Sequence, residues 1–207
     1  IQGEGGVVTP PEGYLSRVRE ICSRHGVLMA VDEVQTGLGR TGQLFACDHE
    51  GVLPDILALA KALGGGVLPS GAVLCKPELV NESFALRHTS TFAGNALTAR
   101  VGIAVVDELT AHSQALVTRV REVGEVLKFE LQKLALKYPS VVTDVRGRGL
   151  LLGVEVTEDI NFLGRQGLLG SIADQQNLAV MLSSYLSRVE GIRIAPTLFG
   201  ARVLRVE

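Results

Sequence analysis

The sequence contains few cysteines and no long apolar run. Cys22, Cys47 and Cys75 are widely spaced, odd in number, and without a Cys-x-x-Cys pair. This pattern favours reduced thiols and a cytoplasmic protein. No apolar run reaches the ~18 residues of a membrane span, and no secretory leader is visible. We therefore expect no membrane partner.

The sequence also lacks an excess of charge of either sign. Twenty basic residues stand against 22 acidic ones, for a net charge of −2, and both signs are interspersed. A nucleic-acid partner is therefore not expected. The four histidines show no metal-ligand spacing, and no metal is expected. The first residue is Ile1 in mid-pattern, so we expect the sequence to be a piece of a longer chain.

The first half of the sequence has the pattern of helices and strands that is typical of an α/β fold. Residues 9–26 carry helix signals: a capping Thr9, prolines in the first turn, a helical apolar spacing and a terminal Gly26. Three apolar runs, residues 27–31, 56–60 and 71–75, are typical of strands. The first is expected to be buried on both faces. The alternation predicts a mixed or mostly parallel sheet.

The second half begins with a long helical stretch over residues 95–138, ended by Pro139. Gly102 or Gly124 could mark one break within it. Two short strands are expected around the Gly-Arg-Gly turn of residues 147–149, then a helix over 164–176 and strands over 178–182 and 192–196. We place a domain boundary inside the long helix, with segments 1–100, 101–138 and 139–207.

Chemistry-bearing residues follow the predicted strands. Asp32 ends the first run, and Lys61 ends the second, just before the glycines at 64–66. In open α/β sheets, ligands bind beyond the carboxyl ends of the strands. A lysine desolvated there is a usable amine nucleophile. The hydroxyl-rich segment 88–95 precedes the long helix, where a phosphate could bind.

These groups match the needs of pyridoxal phosphate. That cofactor requires a lysine, an acid beside its ring nitrogen and donors around its phosphate. Lys61, Asp32 and Thr91 could supply them, and Gln35 could reach the phenolic oxygen. Two other interpretations stay open on the residues alone. The Asp-Glu strand end also fits the magnesium-binding acid of a P-loop ATPase, although no G-x-x-x-x-G-K-[ST] occurs here, and Lys61 could be an ordinary solvated lysine.

Four segments in register carry a more specific resemblance: "DEVQTGLGRTG", "PDILALAKALGGG", "TSTFAGN" and "VRGRGLLLGVE". Together they resemble the motif series of class III aminotransferases, the fold-type I pyridoxal-phosphate enzymes. Within that family they are similar to the putrescine, ornithine and acetylornithine types. The resemblance implies an α/β chain with part of a large mixed-sheet domain, followed by a smaller, truncated α+β C-terminal domain. The family's N-terminal half has no counterpart in this sequence.

The resemblance also implies roles for single residues. Lys61 resembles the Schiff-base lysine that shuttles the proton, and Asp32 resembles the partner of the pyridinium nitrogen. Val34 resembles the residue packed on the ring, and Gln35 the partner of the phenolic oxygen. Thr91 resembles the threonine that reaches the phosphate of the other subunit's cofactor, which implies a homodimer with shared sites.

Substrate-binding roles are implied for two further residues. Arg193 resembles the arginine that clamps a substrate carboxylate, a task suited to a bidentate guanidinium. Glu4 resembles the glutamate that pairs with this arginine in ornithine-type enzymes. The implied reaction moves an amino group from an amine or ω-amino donor to a 2-oxo acid such as 2-oxoglutarate, by a ping-pong mechanism. The 207-residue chain alone is expected to bind cofactor poorly and to be inactive.

Two alternatives from other classes complete the expectations: a P-loop-type nucleotide-binding domain and a non-catalytic remnant or interaction module. The "RGRG" segment, Arg146 to Gly149, could bind a phosphate or carboxylate. We expect it instead to be a structural turn with glycines at special dihedral angles.

Overall fold

The computed structural model describes residues 1–87, 90–157, 178–198 and 202–207. By their contacts, the residues form two compact units, one of Pro11–Arg119 and one of Ile1–Pro10 with Val120–Glu207. The predicted division at residues 100 and 138 concerns the domains of the complete fold and stays a prediction. The helix predicted over residues 164–176 lies outside the described residues. No helix in the described ranges is long and apolar enough to cross a membrane.

The unit of residues 11–119 contains a three-stranded sheet with order β1-β2-β3. β1 and β2 are parallel, and β3 runs antiparallel to β2, so the expected mixed sheet is confirmed. Short 3-10 helices cover Ala46–Glu50, Lys61–Gly64 and Pro77–Leu79. The main elements are α1 (Tyr14–Arg24), β1 (Ala30–Asp32), β2 (Ile56–Leu59), β3 (Ala72–Cys75), α2 (Glu82–Arg87) and the first part of α3 (Ala96–Lys137).

The first strand differs from its prediction. It covers only Ala30–Asp32, and Val27 and Leu28 before it are 56% and 53% exposed. Met29 is buried in a cluster with Cys47 and Val52 that α1 covers. The expectation of burial on both faces is therefore wrong for this chain. Ala30 and Asp32 are exposed because nothing in the described part of the chain covers their side of the strand.

α3 consists of two helical segments joined at a kink. Ala111 to Gln114 leave helical geometry, and His112, Ser113 and Gln114 all have positive φ angles, between 46° and 63°. The break therefore lies at neither Gly102 nor Gly124. Gly124 sits inside the helix because the helix passes very close to Gly149: an added Cβ would lie 2.5 Å from the Gly149 carbonyl. The core beneath the first part of α3 contains Leu38, Leu57, Leu59, Leu63, Leu109 and Val117.

The unit that contains residues 120–207 has a four-stranded antiparallel sheet with order β4-β5-β7-β6. The predicted hairpin forms, but β4 continues through Arg148, so its turn is at residues 149–150. Residues 178–182, predicted as a strand, begin a helix, because Ala179, Leu182 and Leu186 at helical spacing cover the sheet. The elements are β4 (Val142–Arg148), β5 (Leu151–Val156), α4 (Leu178–Val189), β6 (Ala195–Pro196) and β7 (Val203–Val206).

Residues 1–10 belong to this second unit. They form a tight turn closed by a bridge between Gln2 and Val8. Val7 at its tip is fully buried, against Gly153 and Val203 of the sheet. Residues 1–10, which precede α1 in the sequence, are therefore held by the C-terminal sheet that contains β5 and β7.

Candidate functional site

Asp32 and Lys61 lie at the same edge of the mixed sheet. Asp32 is the last residue of β1 and is paired in register with Ala58 of the parallel strand β2. Lys61 follows three residues after Ala58, just beyond the end of β2. The Glu33 amide extends the pairing by donating to the Ala58 carbonyl at 2.9 Å. The sheet register thus brings the predicted acid and the predicted lysine to one carboxyl edge.

Asp32 is the exposed member of the Asp-Glu pair. Its Oδ1 accepts a hydrogen bond from the Val34 amide at 2.9 Å. Its Oδ2 takes no hydrogen bond within the described residues, which leaves one carboxylate oxygen for a ligand. Asp32 faces solvent, although the apolar run before it was expected to be buried on both faces.

Glu33 is the acid that the fold buries. It is 1% exposed, and its carboxylate accepts hydrogen bonds from the Thr36 hydroxyl at 2.6 Å and the amides of Ala46 and Cys47 at 3.0 and 2.8 Å. These donors compensate for its removal from water. Glu33 therefore ties the strand end to the following 3-10 helix and has a structural role.

Cys47 beside Glu33 is an inert thiol. Burial, followed by the negative charges of Glu33 and Asp48, raises its pKa to about 12. The thiolate is the reactive form of cysteine, and it is not accessible at physiological pH. Cys47 is therefore part of the core and not a catalytic nucleophile.

Lys61 occupies a strained backbone position. Its φ angle is 46°, in the left-handed region that non-glycine residues rarely adopt. The glycines that follow, Gly65 and Gly66, also have positive φ angles of 60° and 72°. Lys61 itself is exposed, so the predicted apolar surroundings of its amine are absent from this chain. Backbone strain of this kind concentrates at functional sites.

The remaining predicted cofactor residues lie in loops of the same unit. Val34 and Gln35 are half-buried directly after Asp32. Thr91 is exposed in the turn before α3, whose first turn is capped by the Asn95 side chain bonded to the amides of Leu97 and Thr98 at 3.0 and 3.2 Å. His88 and Thr89 of the hydroxyl-rich segment lie outside the described residues.

Among the residues that the structure describes, Glu4 forms an ion pair with Arg205 of β7. The Arg205 Nη1 donates to Glu4 Oε1, and the Leu198 amide donates to Glu4 Oε2 at 3.2 Å. The Arg205 side chain is 15% exposed. The resemblance led to Arg193 as the partner of Glu4. In the described part of the chain, however, Arg193 is exposed and no carboxylate lies within ion-pair distance of it.

Arg205 is the residue that sequence reasoning missed. It sits in an ordinary strand pattern, "VLRV", and only the strand register reveals that it faces Glu4 across about 200 residues of sequence. Arg193 and Arg205 nevertheless lie beside the same surface depression. Both line a depression of about 400 Å³ together with Ile194, Ala195, Pro196 and Glu207.

Within the "RGRG" segment, Arg146 has a structural role, because its guanidinium binds Asp144 and Glu155. Partial burial opposes the charge of Arg146, but hydrogen bonds to Asp144 and Glu155 outweigh it and raise its pKa above the ordinary value. The expected special dihedral angles are present, with φ angles of 121° at Gly147 and 56° at Gly149. The Gly147 position has no space for a side chain, since an added Cβ would lie 2.1 Å from the Leu151 carbonyl oxygen.

Comparison with known proteins gives one consistent family. Residues 1–200 match the family model described as aminotransferase class-III. Three similar solved structures are the ornithine aminotransferases of Plasmodium yoelii (31% identity, TM-score 0.80) and Toxoplasma gondii (38%, 0.80) and the acetylornithine aminotransferase of Elizabethkingia anophelis (37%, 0.76). Each match covers 100% of this chain and 49%, 44% and 46% of the respective relative. The chain thus spans less than half the length of these relatives.

Proposed function

The chain belongs to the class III aminotransferase family, and we propose that the full-length protein moves an amino group from an amine or ω-amino donor to a 2-oxo acid. Members of this family are fold-type I enzymes that depend on pyridoxal 5'-phosphate. The observation that carries the proposal is the placement of Asp32 and Lys61 at one carboxyl edge of β1 and β2. The acceptor we propose is 2-oxoglutarate, with the two half-reactions in ping-pong order.

The residues at this edge fit the cofactor. Asp32 keeps Oδ2 available for the protonated ring nitrogen, and Lys61 presents its amine at the neighbouring strand end. When bound, the cofactor supplies an electron sink for the negative charge that develops on the substrate carbon. Val34 would pack against the ring, and Gln35 would be the partner of its phenolic oxygen.

Lys61 has two tasks in the proposed mechanism. Its Nζ would hold the cofactor between turnovers and would then serve as the general base and acid that moves the proton. The strained backbone of Lys61 supports this role, because such strain persists only where the surrounding structure holds it. Asp32 would be the hydrogen-bond partner of the ring nitrogen.

Thr91 supports a homodimer with shared sites. It is exposed in the turn before α3, so its hydroxyl is available to a phosphate bound by a second copy of the chain. We propose that each site of the dimer receives this hydroxyl from its partner. A cytoplasmic location, argued from the reduced cysteines, remains part of the same proposal.

Arg205 is the carboxylate-binding arginine that the geometry favours. Its guanidinium pairs with two carboxylates of the chain, those of Glu4 and Glu207, while no substrate carboxylate is bound. A carboxylate of the 2-oxo acid then replaces Glu4 on the guanidinium in the other half-reaction. Arg193 on the same depression remains the rival position.

Substitution of the two strand-end residues tests the reaction. In the full-length protein, Lys61→Ala should abolish transamination, and Asp32→Ala should lower kcat by orders of magnitude while the cofactor is still bound. Lys133→Ala is the control, because Lys133 is an exposed lysine paired with Glu130. Turnover that survives in Lys61→Ala would overturn the assignment of the lysine.

A donor and acceptor screen tests the substrates. Putrescine, ornithine, acetylornithine and 4-aminobutyrate should be compared as donors with 2-oxoglutarate as acceptor. Arg205→Gln should raise the KM for 2-oxoglutarate by about tenfold or more, because it removes a charged partner of the carboxylate. If Arg193→Gln has this effect and Arg205→Gln does not, Arg193 is the clamp. No turnover with any donor would favour a non-catalytic remnant.

A further inference from the structure

The second segment of α3, after the kink, packs one face on the antiparallel sheet of its own unit. Four residues share this inner face at helical spacing: Gly124, Lys128, Leu131 and Ala135. Leu131 and Ala135 lie against the core of that sheet, and Lys128 Nζ donates to the Gly147 carbonyl at 3.0 Å. The inner face is therefore occupied by contacts within the unit.

The opposite face of this segment carries a line of exposed residues, which we call the outer stripe: Glu122, Val126, Phe129, Lys133 and Leu136. Their spacing alternates between four and three residues, which keeps side chains along one line of a helix. Val126, Phe129 and Leu136 are 65%, 59% and 82% exposed. Single apolar side chains on a surface need no explanation, but an exposed line of them indicates a contact surface.

Charges along the outer stripe change sign at Phe129. Glu122 precedes it, whereas Lys133 and Lys137 follow it, and all three charged side chains are exposed. Lys133 has its Nζ 5.5 Å from the centre of the Phe129 ring and is paired with Glu130 at 2.9 Å. Within the described residues, neither Glu122 nor Lys137 forms an ion pair. The stripe thus offers a negative charge at one end and a positive charge at the other.

An antiparallel second copy complements this arrangement of charges. When two Phe129 side chains face each other, residues equally far before and after Phe129 are opposed. Glu122 then lies beside the partner's Lys137, because the two are seven and eight residues from Phe129. Arg119 lies outside the overlap, because α3 ends at Lys137. A parallel copy would instead set Glu122 against the partner's Glu122, which is unfavourable.

We propose that the outer stripe is an interface between two copies of the chain, which meet antiparallel about a two-fold axis at Phe129. The two Phe129 rings form the centre of the contact, and Val126 and Leu136 exclude water around them. Glu122 and the partner's Lys137 set the orientation at both ends. A two-fold contact uses the same patch on both copies, so it closes after two.

The outer stripe is a different surface from the one proposed for shared cofactor sites. Thr91 belongs to the unit of residues 11–119, whereas the whole stripe belongs to the other unit. A protein that uses both surfaces would associate as pairs of dimers. The inference does not rest on the proposed reaction, because the stripe contains none of the residues assigned to cofactor or substrate.

The contact should be weak and reversible. Five residues per copy are fewer than the roughly 20–30 residues per side of a stable interface of standard size. The charge pairs at its ends are solvated, so they add little affinity and are screened by salt. We therefore expect association in the micromolar range that weakens as the salt concentration rises.

Sedimentation velocity of the full-length holoenzyme tests the interface. Between about 1 and 100 μM, one species should convert reversibly into another of twice its mass. Phe129→Gln should raise the dissociation constant of this step by about tenfold or more. Tyr14→Gln is the matched control, because Tyr14 is a 52% exposed aromatic residue on α1 of the other unit. It should leave the dissociation constant unchanged, and both variants should keep the kcat of the unsubstituted protein.

Charge reversal tests the antiparallel orientation. Glu122→Lys alone and Lys137→Glu alone should each raise the dissociation constant severalfold, because each places like charges together. An equal mixture of these two single variants should associate as tightly as the unsubstituted protein, since opposite charges then meet at both ends. This recovery requires contact between two copies and does not depend on any change in folding.

The other outcomes overturn the inference. A single mass at every concentration would show that the stripe joins no copies. A lower Tm in Phe129→Gln at an unchanged mass would show that the stripe is covered within one chain. Association that survives in Phe129→Gln would place the contact elsewhere, and a mixture that does not recover would refute the antiparallel pairing. The loss of transamination expected in Lys61→Ala is measured separately, so the proposed function stands or fails by itself.

Discussion

At the scale of single residues, the adjacent acids Asp32 and Glu33 have opposite environments. Asp32 is exposed, and one of its carboxylate oxygens takes no hydrogen bond from the residues that the structure describes, whereas Glu33 is 1% exposed and bound by three donors. The alternation of side chains at the end of a strand places neighbours on opposite faces. The pattern "VLMAVDE" therefore predicts an acid with a special environment, but only the fold shows which acid is buried and which one is offered to a ligand.

Replacing Glu33 should cost stability. Glu33→Gln places an amide nitrogen among the donors Thr36, Ala46 and Cys47, and we expect the free energy of unfolding to fall by about 1–3 kcal/mol. Urea unfolding measures the change. Asp32→Asn is the matched control and should shift the free energy by less than about 0.5 kcal/mol, because its side chain is exposed. Equal losses in both variants would contradict the structural role of Glu33.

At the scale of secondary-structure elements, one buried carboxylate, that of Asp55, connects a helix to two strands. Asp55 is 5% exposed, and its carboxylate binds Lys76 Nζ at 2.6 Å, the Met29 amide at 2.8 Å and Arg19 Nη1 at 2.6 Å. These partners come from α1, from the residue before β1 and from the residue after β3. Asp55 therefore links the helix to both edges of the three-stranded sheet.

The contribution of Asp55 should depend on pH. The hydrogen bonds from Lys76, Met29 and Arg19 hold the pKa of Asp55 well below its usual range. The folded carboxyl therefore stays ionised where the unfolded one takes up a proton. Its stabilisation is complete above the ordinary pKa of about 4 and declines as the pH falls below that value.

Thermal unfolding of Asp55→Asn measures this dependence. At neutral pH the variant should have a lower Tm than the unsubstituted protein. As the pH falls below about 4, the difference in Tm should shrink. A gap that is constant over this range, or that widens in acid, would show that the ionised carboxylate is not what stabilises the fold.

Two glycines of α3 should respond in opposite ways to alanine. An added Cβ at Gly124 would lie 2.5 Å from the Gly149 carbonyl, whereas at Gly102 it would lie an ordinary 3.5 Å from Leu63 Cδ1. We expect Gly102→Ala to stabilise by about 0.5–1 kcal/mol through helix propensity. Gly124→Ala should destabilise by about 1–3 kcal/mol because the close approach to β4–β5 is lost. Chemical denaturation of both variants checks the contrast, and a stabilised Gly124→Ala would refute the close packing.

At the scale of the whole molecule, the proposed cofactor site is open. Asp32, Lys61 and Thr91 are all exposed in this chain, which spans less than half the length of its relatives. An ion pair between a carboxylate and a ring nitrogen contributes little when both are solvated, because water screens the charges. The site needs further surroundings before its chemistry can operate.

The 207-residue chain by itself should therefore bind pyridoxal phosphate weakly and show no transamination. Titration of the isolated chain with the cofactor, followed by visible absorbance, measures the binding. Lys61→Ala in the same chain distinguishes attachment at this lysine from adduct formation at surface lysines. Stoichiometric, Lys61-dependent binding by the isolated chain would contradict this expectation.

The family, the mixed α/β fold and the strand-end positions of Asp32 and Lys61 could be predicted from the sequence alone. These follow from local signals: apolar runs, terminal glycines and motifs whose order survives without any knowledge of contacts. Two local interpretations were wrong for physical reasons. Residues 178–182 are as apolar as a strand but continue a helical stripe, and Gly124, taken as a possible break, serves a close approach.

The contacts between residues that are far apart in the sequence are visible only in the tertiary structure. Three features depend on strand register and on which face each strand covers: the pairing of Glu4 with Arg205, the alignment of Arg146 and Arg205 on either side of Gly153, and the burial of Glu33. A shift by one residue would turn these side chains to the other face, and the partner of a strand that lies far away in the sequence cannot be read from either segment alone. The strands thus place an arginine of β7 beside a turn near residue 4, because hydrogen-bonded pairing, not proximity along the chain, sets their neighbours.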